Sequence, residues 1–437
     1  MRSSSRTVVL AFALAAAPAA AQDTVPAPPP ASTPPRMDPD IQRIFETARQ
    51  AREGGNLLTE LQALRGLAPA YAASGQAART ALAREAMRLE AEAGNYTEAL
   101  RQADLAGVDD PWEPDPAAGA QLQGLRPEPA LEALSRAAAG ERVVMVNEAH
   151  HVPQHRAFAL QLLARLWEQG YRYLAAESLW ESEAELAARG YPAAGSGGYL
   201  SEPLYGDLVR TALALGYTVV PYESARPGAG GDREQGQAAN LVQRILARDP
   251  GARILVHAGY NHVNESGLLA GVAPMAVRFR EMTGIDPLTV DQTVMTERGA
   301  PEREHPLYRH AAGAGLLEEP TVLRSPSGAL WTLEPGKRDV TVFHPRSVYR
   351  DGRPTWLRLG GARAPHPLPA DVCAGAERCL VSARAAAEGG DAVPVDQVEV
   401  VRGGPPPALL LPPGSYRVRV EDAAGTLLRQ LTLSLPR

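Results

Sequence analysis

The chain lacks the short signatures by which most hydrolases and nucleotide enzymes can be read. No serine sits in a G-x-S-x-G elbow, and the nearest stretch, Gly195-Ser196-Gly197-Gly198, follows no strand. H-E-x-x-H is absent, which removes the zincin helix. Gly228-Ala229-Gly230-Gly231 has Arg233 where a dinucleotide fingerprint needs its third glycine, and there is no Walker lysine-threonine pair. Cysteine is scarce, with only Cys373 and Cys379 in 437 residues. Lying close together, they can close a small disulfide loop; a zinc pair is the alternative, although no second ligand pair of matching spacing accompanies them. Basic residues do not exceed acidic ones, at 44 against 50 for a formal charge of -6. A nucleic-acid partner is therefore not expected, because phosphates reward a basic face.

A long apolar run is also missing. Val8 to Ala17 is too short to span a bilayer, so no transmembrane anchor is predicted. With Arg2 and Arg6 before it and Ala19-Ala20-Ala21 after it, this run reads as a signal peptide over 1–21, with the mature chain starting at Gln22. The prediction is an exported protein, periplasmic or secreted; an ordinary apolar N-terminal helix is the bland alternative. No cysteine follows the cleavage site to carry a lipid. Residues 22–39 are proline-rich and form a linker.

Residues 40–110 are rich in alanine, leucine and glutamate at helical spacing, broken at Gly54-Gly55, Ser74-Gly75 and Gly94-Asn95. Gly55-Asn56-Leu57 and Gly94-Asn95-Tyr96 open similar stretches about 39 residues apart, which predicts antiparallel helices like a tetratricopeptide pair. Such a region either holds a peptide or protein partner in a groove or caps the next domain. Residues 130–300 alternate strand and helix, with helices expected at 153–168, 204–215, 237–247 and 275–282. Alternation of this kind gives a mostly parallel sheet with helices on both faces. Two glycine-rich connections, Tyr191 to Tyr199 and Arg226 to Gly236, are either lids or surface insertions. Residues 328–437 lose the helical period, and 339–343, 356–359, 398–401, 416–420 and 427–433 are strand candidates of a β-sandwich-like domain. The fold class is thus α/β, preceded by a helical region and followed by a β-sandwich-like one.

What the chain does have is a set of acidic residues and histidines at strand ends. Val143–Val146 leads to Glu148, His150 and His151; Tyr171–Ala176 to Glu177; Val219–Tyr222 to Glu223; Ile254–Val256 to His257 and His262. Parallel strands place these ends along one edge, where open α/β sheets hold ligands. Glutamate and histidine together can present an imidazole as general base, with carboxylates to fix its tautomer, or can bind a divalent metal. For the metal reading the set is Glu148, His150 and His262. The bland reading keeps all seven as hydrogen-bonded structural groups.

Asn147-Glu148-Ala149-His150-His151 after a strand, Glu177 closing the next, and His257-Ala258-Gly259-Tyr260-Asn261-His262-Val263 resemble the superfamily that joins erythromycin esterases, ChaN-like haem-uptake proteins and Tiki/TraB proteins. Its two G-x-x-H motifs are represented by Gly259-Tyr260-Asn261-His262 and by a first copy in which Asn147 replaces the glycine. His150 fits that motif, whereas His151 fits the E-x-x-H spacing of the esterase branch. The resemblance spans about 142–298. It implies an α/β sheet and, by branch, metal-free ester hydrolysis, metal-dependent peptide hydrolysis or haem binding.

The leading expectation is an exported hydrolase acting on a small-molecule or peptide substrate. Glu148 with His150 or His151 would activate water, His262 with His257 would stabilise developing charge, and Glu177 and Glu223 would orient the base or complete a metal site. The rivals are a metal- or haem-binding protein without turnover, with Tyr260 as the nearest axial ligand for haem, and an interaction protein whose central site is relict.

Overall fold

Short apolar runs bounded by glycine or polar residues become the central sheet. The computed structural model describes residues 38–108, 111–181, 183, 185–224 and 230–436. The signal-peptide reading and the linker up to residue 37 lie outside the described residues. The sheet has six strands in the order Thr218–Pro221, Tyr173–Ala176, Ile254–Gly259, Val143–Glu148, Leu288–Asp291 and Val340–Thr341. Every neighbouring pair is parallel, with Val146 beside His257 and Glu148 beside Gly259.

Because side chains alternate across a strand, one run feeds two cores. Val144, Val146, Leu174 and Leu255 pack under the helices Ala130–Ala138, Pro153–Glu168 and Pro203–Leu215. Val143, Met145, Ala175, Ile254 and Val256 pack on the opposite face with Leu241, Met275 and Phe279. Helices on both faces and strands read as wholly apolar follow from the same burial.

The N-terminal helices Pro39–Gly54, Leu57–Tyr71 and Gln76–Glu92 share a core of Ile44, Leu61, Leu64, Tyr71 and Leu89, and the fourth, Tyr96–Ala106, packs Tyr96 into a separate cluster with Leu204 and Leu410. Asn56 and Asn95, equivalent in the sequence repeat, are both N-cap positions; Asn56 makes a full capping box with Thr59. These helices dock on the C-terminal sheet, whose strands run Asp396–Val401, Arg378–Ala385, Gly414–Asp422 and Leu427–Leu435, all antiparallel. Arg65 bridges Glu90 at 2.6 Å and Glu399 at 2.8 Å, and Glu399 N donates to Ala93 O. The pair Ala364–His366 with Leu409–Leu411 adds Leu409 and Leu411 to the core of that sheet. Cys373 and Cys379 are joined in a disulfide, so they are not a zinc pair.

Three local expectations are corrected. Within the 339–343 run, Val340–Thr341 is the parallel edge strand of the central sheet, because Val340 pairs with Val290. The 356–359 run is part of a 3-10 turn, Thr355–Gly361, in which Leu359, Gly360 and Gly361 all take positive φ, a conformation that ends an extended strand. The Arg226 to Gly236 connection becomes helical at Gly230, continuing to Leu241 before a π turn at Val242–Leu246.

Candidate active site

The strand Val143–Glu148 is buried along its whole length and delivers Glu148 to the carboxyl edge. Asn147, the residue that departs from the glycine of the resembled motif, ties that edge together. Its amide donates to Asp291 Oδ1 and Tyr260 O, both at 2.8 Å, and accepts from Gln292 N at 2.9 Å. A glycine there would remove these bonds from a buried network.

Glu148 is held by one guanidinium and two imidazoles. Arg156, on the helix Pro153–Glu168, donates through Nε and Nη2 to its two oxygens, each at 2.7 Å. His150 Nδ1 lies 2.8 Å from Oε1, and His257 Nε2 lies 3.4 Å from Oε2. Burial alone would raise the carboxyl's pKa, but Arg156, His257 and His150 outweigh it and hold it well below the usual range. Glu148 is therefore a fixed anion placed to accept the Nδ1 proton of His150, an orientation in which a neutral ring carries its lone pair on Nε2. Tyr199 stacks on the His150 ring at 4.0 Å, and Arg156 reaches on to Glu202 at 3.1 Å.

The second cluster is built around Arg233. Its Nη2 donates to Glu177 Oε1 and Glu223 Oε2, both at 2.7 Å, and its Nη1 lies 2.7 Å from His262 Nε2. Nδ1 of His262 faces Glu234 at 2.8 Å. The contact with Arg233 needs a neutral ring with its proton on Nδ1. Burial also disfavours the charged ring, yet Glu234 and Glu177 outweigh it and raise the pKa above its ordinary value. Protonation at Nε2 would part the ring from Arg233 and turn it toward Glu177 Oε1, 3.5 Å away. Glu177 is lowered, burial being overcome by His262, His150 and Arg233, and it also accepts from Gly259 N–H.

Gly259 has no room for a side chain. A methyl there would lie 2.5 Å from His150 Cε1 and 3.0 Å from Glu177 Oε2, so both groups lean on bare backbone. The next residue, Tyr260, sits at φ +43, a strained position for an aromatic.

His150, Glu177, Glu223, Arg233, Tyr260 and His262 line one cavity of about 1080 Å³. The N-terminal helices roof it with Arg52, Glu60 and Arg88, and the Tyr191 to Tyr199 connection forms a wall through Gly195, Gly197 and Tyr199. That connection is pinned down: Ala194 N donates to Asp391 O at 2.8 Å, and Gly197 crosses Ser178 so closely that any Cβ would strike Ser178 O.

Three predicted residues stand apart from the cavity: Glu148, which lies buried behind His150, and two histidines. His257 is buried behind Glu148, and burial lowers its pKa in spite of that neighbour. His151 is buried with Nδ1 3.3 Å from Tyr260 Oη, its pKa lowered to about 3 by burial and by Arg298. Of the two candidates after the first strand, His150 is the one on the cavity. Among the described residues no three His, Cys, Asp or Glu side chains are grouped as metal ligands. In the set of Glu148, His150 and His262, the carboxylate is already covered by a guanidinium.

Arg156, Arg233, Glu202 and Glu234 carry half of the network and were not singled out in the sequence. Arg156 left a signal: it shares a helical face with Ala159 and Leu163, where an arginine has no solvated role.

No family model matches the chain, and no curated protein matches it. Among solved structures it is similar to the type III effector HopBA1 (14% identity, 40% of this chain and 86% of that one, TM-score 0.26). A structure described as bacterial protein toxins matches at 16% identity over 57% of this chain and 63% of that one, TM-score 0.29. RRSP, a MARTX toxin effector domain from Vibrio vulnificus CMCP6, matches at 16% identity over 57% and 62%, TM-score 0.25. The chain spans less than two thirds of the latter two, and likeness at these TM-scores carries no argument.

Proposed function

We propose that this protein is an exported hydrolase of esters or amides in which His150 is the general base. The observation that carries the reading is the oriented imidazole: Nδ1 is held at 2.8 Å by an Arg156-clamped Glu148 while the ring faces the cavity. In the reaction, a water proton passes to His150 Nε2 as the water oxygen bonds to the carbonyl carbon. The carbonyl electron pair moves onto oxygen, where Arg233 supplies positive charge and donors. Collapse expels the alkoxide or amine, which takes the proton back from His150. Glu177 and Glu223 position Arg233.

Export is supported by the Cys373–Cys379 bond, since disulfides persist in oxidising compartments. The test is an ester and amide panel with metal analysis on the same sample. Turnover that survives chelation and disappears in His150→Ala is expected; turnover indifferent to His150 would remove the proposal.

A further inference from the structure

A loop of the C-terminal sheet reaches the wall beside His150. It spans residues 386–395, between the strands Arg378–Ala385 and Asp396–Val401. Its own sheet fixes it: Arg384 Nε donates to Ala392 O at 2.9 Å, and Arg417 Nη1 donates to Ala386 O at 3.2 Å. From the other side Arg210, on the helix Pro203–Leu215, donates to both oxygens of Glu388 at 2.7 Å. Ala392 and Val393 are buried.

This loop holds the Tyr191 to Tyr199 connection largely by backbone. Ala194 N donates to Asp391 O at 2.8 Å, Val393 N to Pro192 O at 3.0 Å, and Gly389 N to Tyr191 Oη at 2.8 Å. Ala193 and Ala392 thereby form an antiparallel bridge. Ser178 sets the far end, its carbonyl accepting from Gly198 N at 2.9 Å and its Oγ from Tyr199 N at 2.5 Å. Held at both ends, the connection lays the Tyr199 ring on His150, with centroids 4.0 Å apart and planes 17° from parallel. Tyr260 meets the same imidazole edge-on at 5.1 Å.

The stack does what the Glu148 contact alone does not. A hydrogen bond at Nδ1 fixes one point of the imidazole and not the plane of the ring; a flat partner on the ring face fixes that plane. The wall that carries Tyr199 contains Gly195, Gly197 and Gly198, which give it little stiffness of its own. Its bonds to the 386–395 loop supply that stiffness.

We propose that Tyr199 is a positioning residue for His150, and that the C-terminal domain acts on the site through it, with the 386–395 loop as the strap that keeps Tyr199 on the imidazole. The consequence for rate rests on the hydrolytic reading of His150; the orientation of the ring does not.

The orientation can be measured on the full chain, labelled with ¹⁵N-histidine, from two-bond ¹H–¹⁵N spectra that show which ring nitrogen carries the proton. His150→Gln assigns the signal. With the ring neutral, wild type should carry the proton on Nδ1. Tyr199→Leu keeps bulk but no flat face, and Ala194→Pro removes the donor to Asp391 O. Both should move the His150 signals toward the average of the two tautomers, whereas Tyr199→Phe, which keeps the flat face, should show the wild-type pattern. On an ester or amide that the protein turns over, the first two should lose about tenfold to a hundredfold in kcat, with KM little changed. Ala194 is exposed, so its variant reads the strap even if Tyr199→Leu does not fold. Wild-type signals in folded Tyr199→Leu would overturn the positioning role, and wild-type signals in Ala194→Pro would overturn the strap. Because the spectra need no substrate, an inactive wild type with an ordered His150 would fail the hydrolytic reading alone.

Discussion

Arg156 grips both carboxylate oxygens of Glu148 at 2.7 Å, and neither partner exposes more than 2% of its side chain. The pair fixes the anion against which His150 is oriented. It also costs desolvation on both sides, so what the pair gives the protein is geometry more than net stability.

Arg156→Ala should therefore be strongly destabilising. It leaves Glu148 and Glu202 buried without their counter-charge, for a loss of about 3–5 kcal/mol. Urea denaturation at neutral pH measures it; a loss under about 1 kcal/mol would mean that the carboxylates find other partners.

Gly259→Ala tests the packing of the base. Its methyl would lie 2.5 Å from His150 Cε1, so the ring must move off its Glu148 contact. A rate loss of about a hundredfold is expected, since misplacement of about 1 Å costs that much. An unchanged rate with a folded protein would show that the ring needs no such seat.

Stability should fall as pH drops from neutrality toward about 5. His151 and His344 are both buried, with pKa values lowered to about 3 by burial. Their unfolded counterparts take up protons below about 6.5, so between those values the unfolded state binds more protons and is favoured. Each histidine contributes about 1.4 kcal/mol per pH unit across that window. His344→Phe should flatten the slope of unfolding free energy against pH by one proton; an unaltered slope would contradict the burial of that ring.

Removing the disulfide by Cys373→Ser with Cys379→Ser should cost about 2 kcal/mol, the loop-closure entropy of so short a loop. Mass spectrometry of the purified protein should find no free thiol without reductant.

The sheet was legible because strands buried on both faces read as unbroken apolar runs, and four of these led to a glutamate or histidine. Glu148, Glu177, Glu223, His150 and His262 were reachable by that rule, since chain order alone places strand ends together. Arg156 and Arg233 were not, because a long charged side chain on a helix usually marks a solvated face, and only the fold turns it inward. The same holds for the roof: Arg52 and Arg88 lie in a region whose own sequence speaks only of helices. His151 and His257 carry the right residue type at the right place in sequence, but a one-residue step along the turn, or the pleat of a strand, sends the side chain behind the site. Trp356 to Leu359 shows the opposite failure, a strand-like composition overruled by the left-handed residues that follow.

The most direct test of the account compares turnover and thermal midpoint for wild type, His150→Ala, Glu148→Gln, their double variant and His151→Gln, on an ester or amide from the panel. His150 lines the cavity, so His150→Ala should keep a midpoint within a few degrees and lose about two to four orders of magnitude in rate. The double variant should lose little more, because residues acting as one unit are not additive. His151→Gln should keep most of its rate. Wild-type turnover retained by His150→Ala, with His151→Gln inactive at an unchanged midpoint, would contradict the account and move the base to the other histidine.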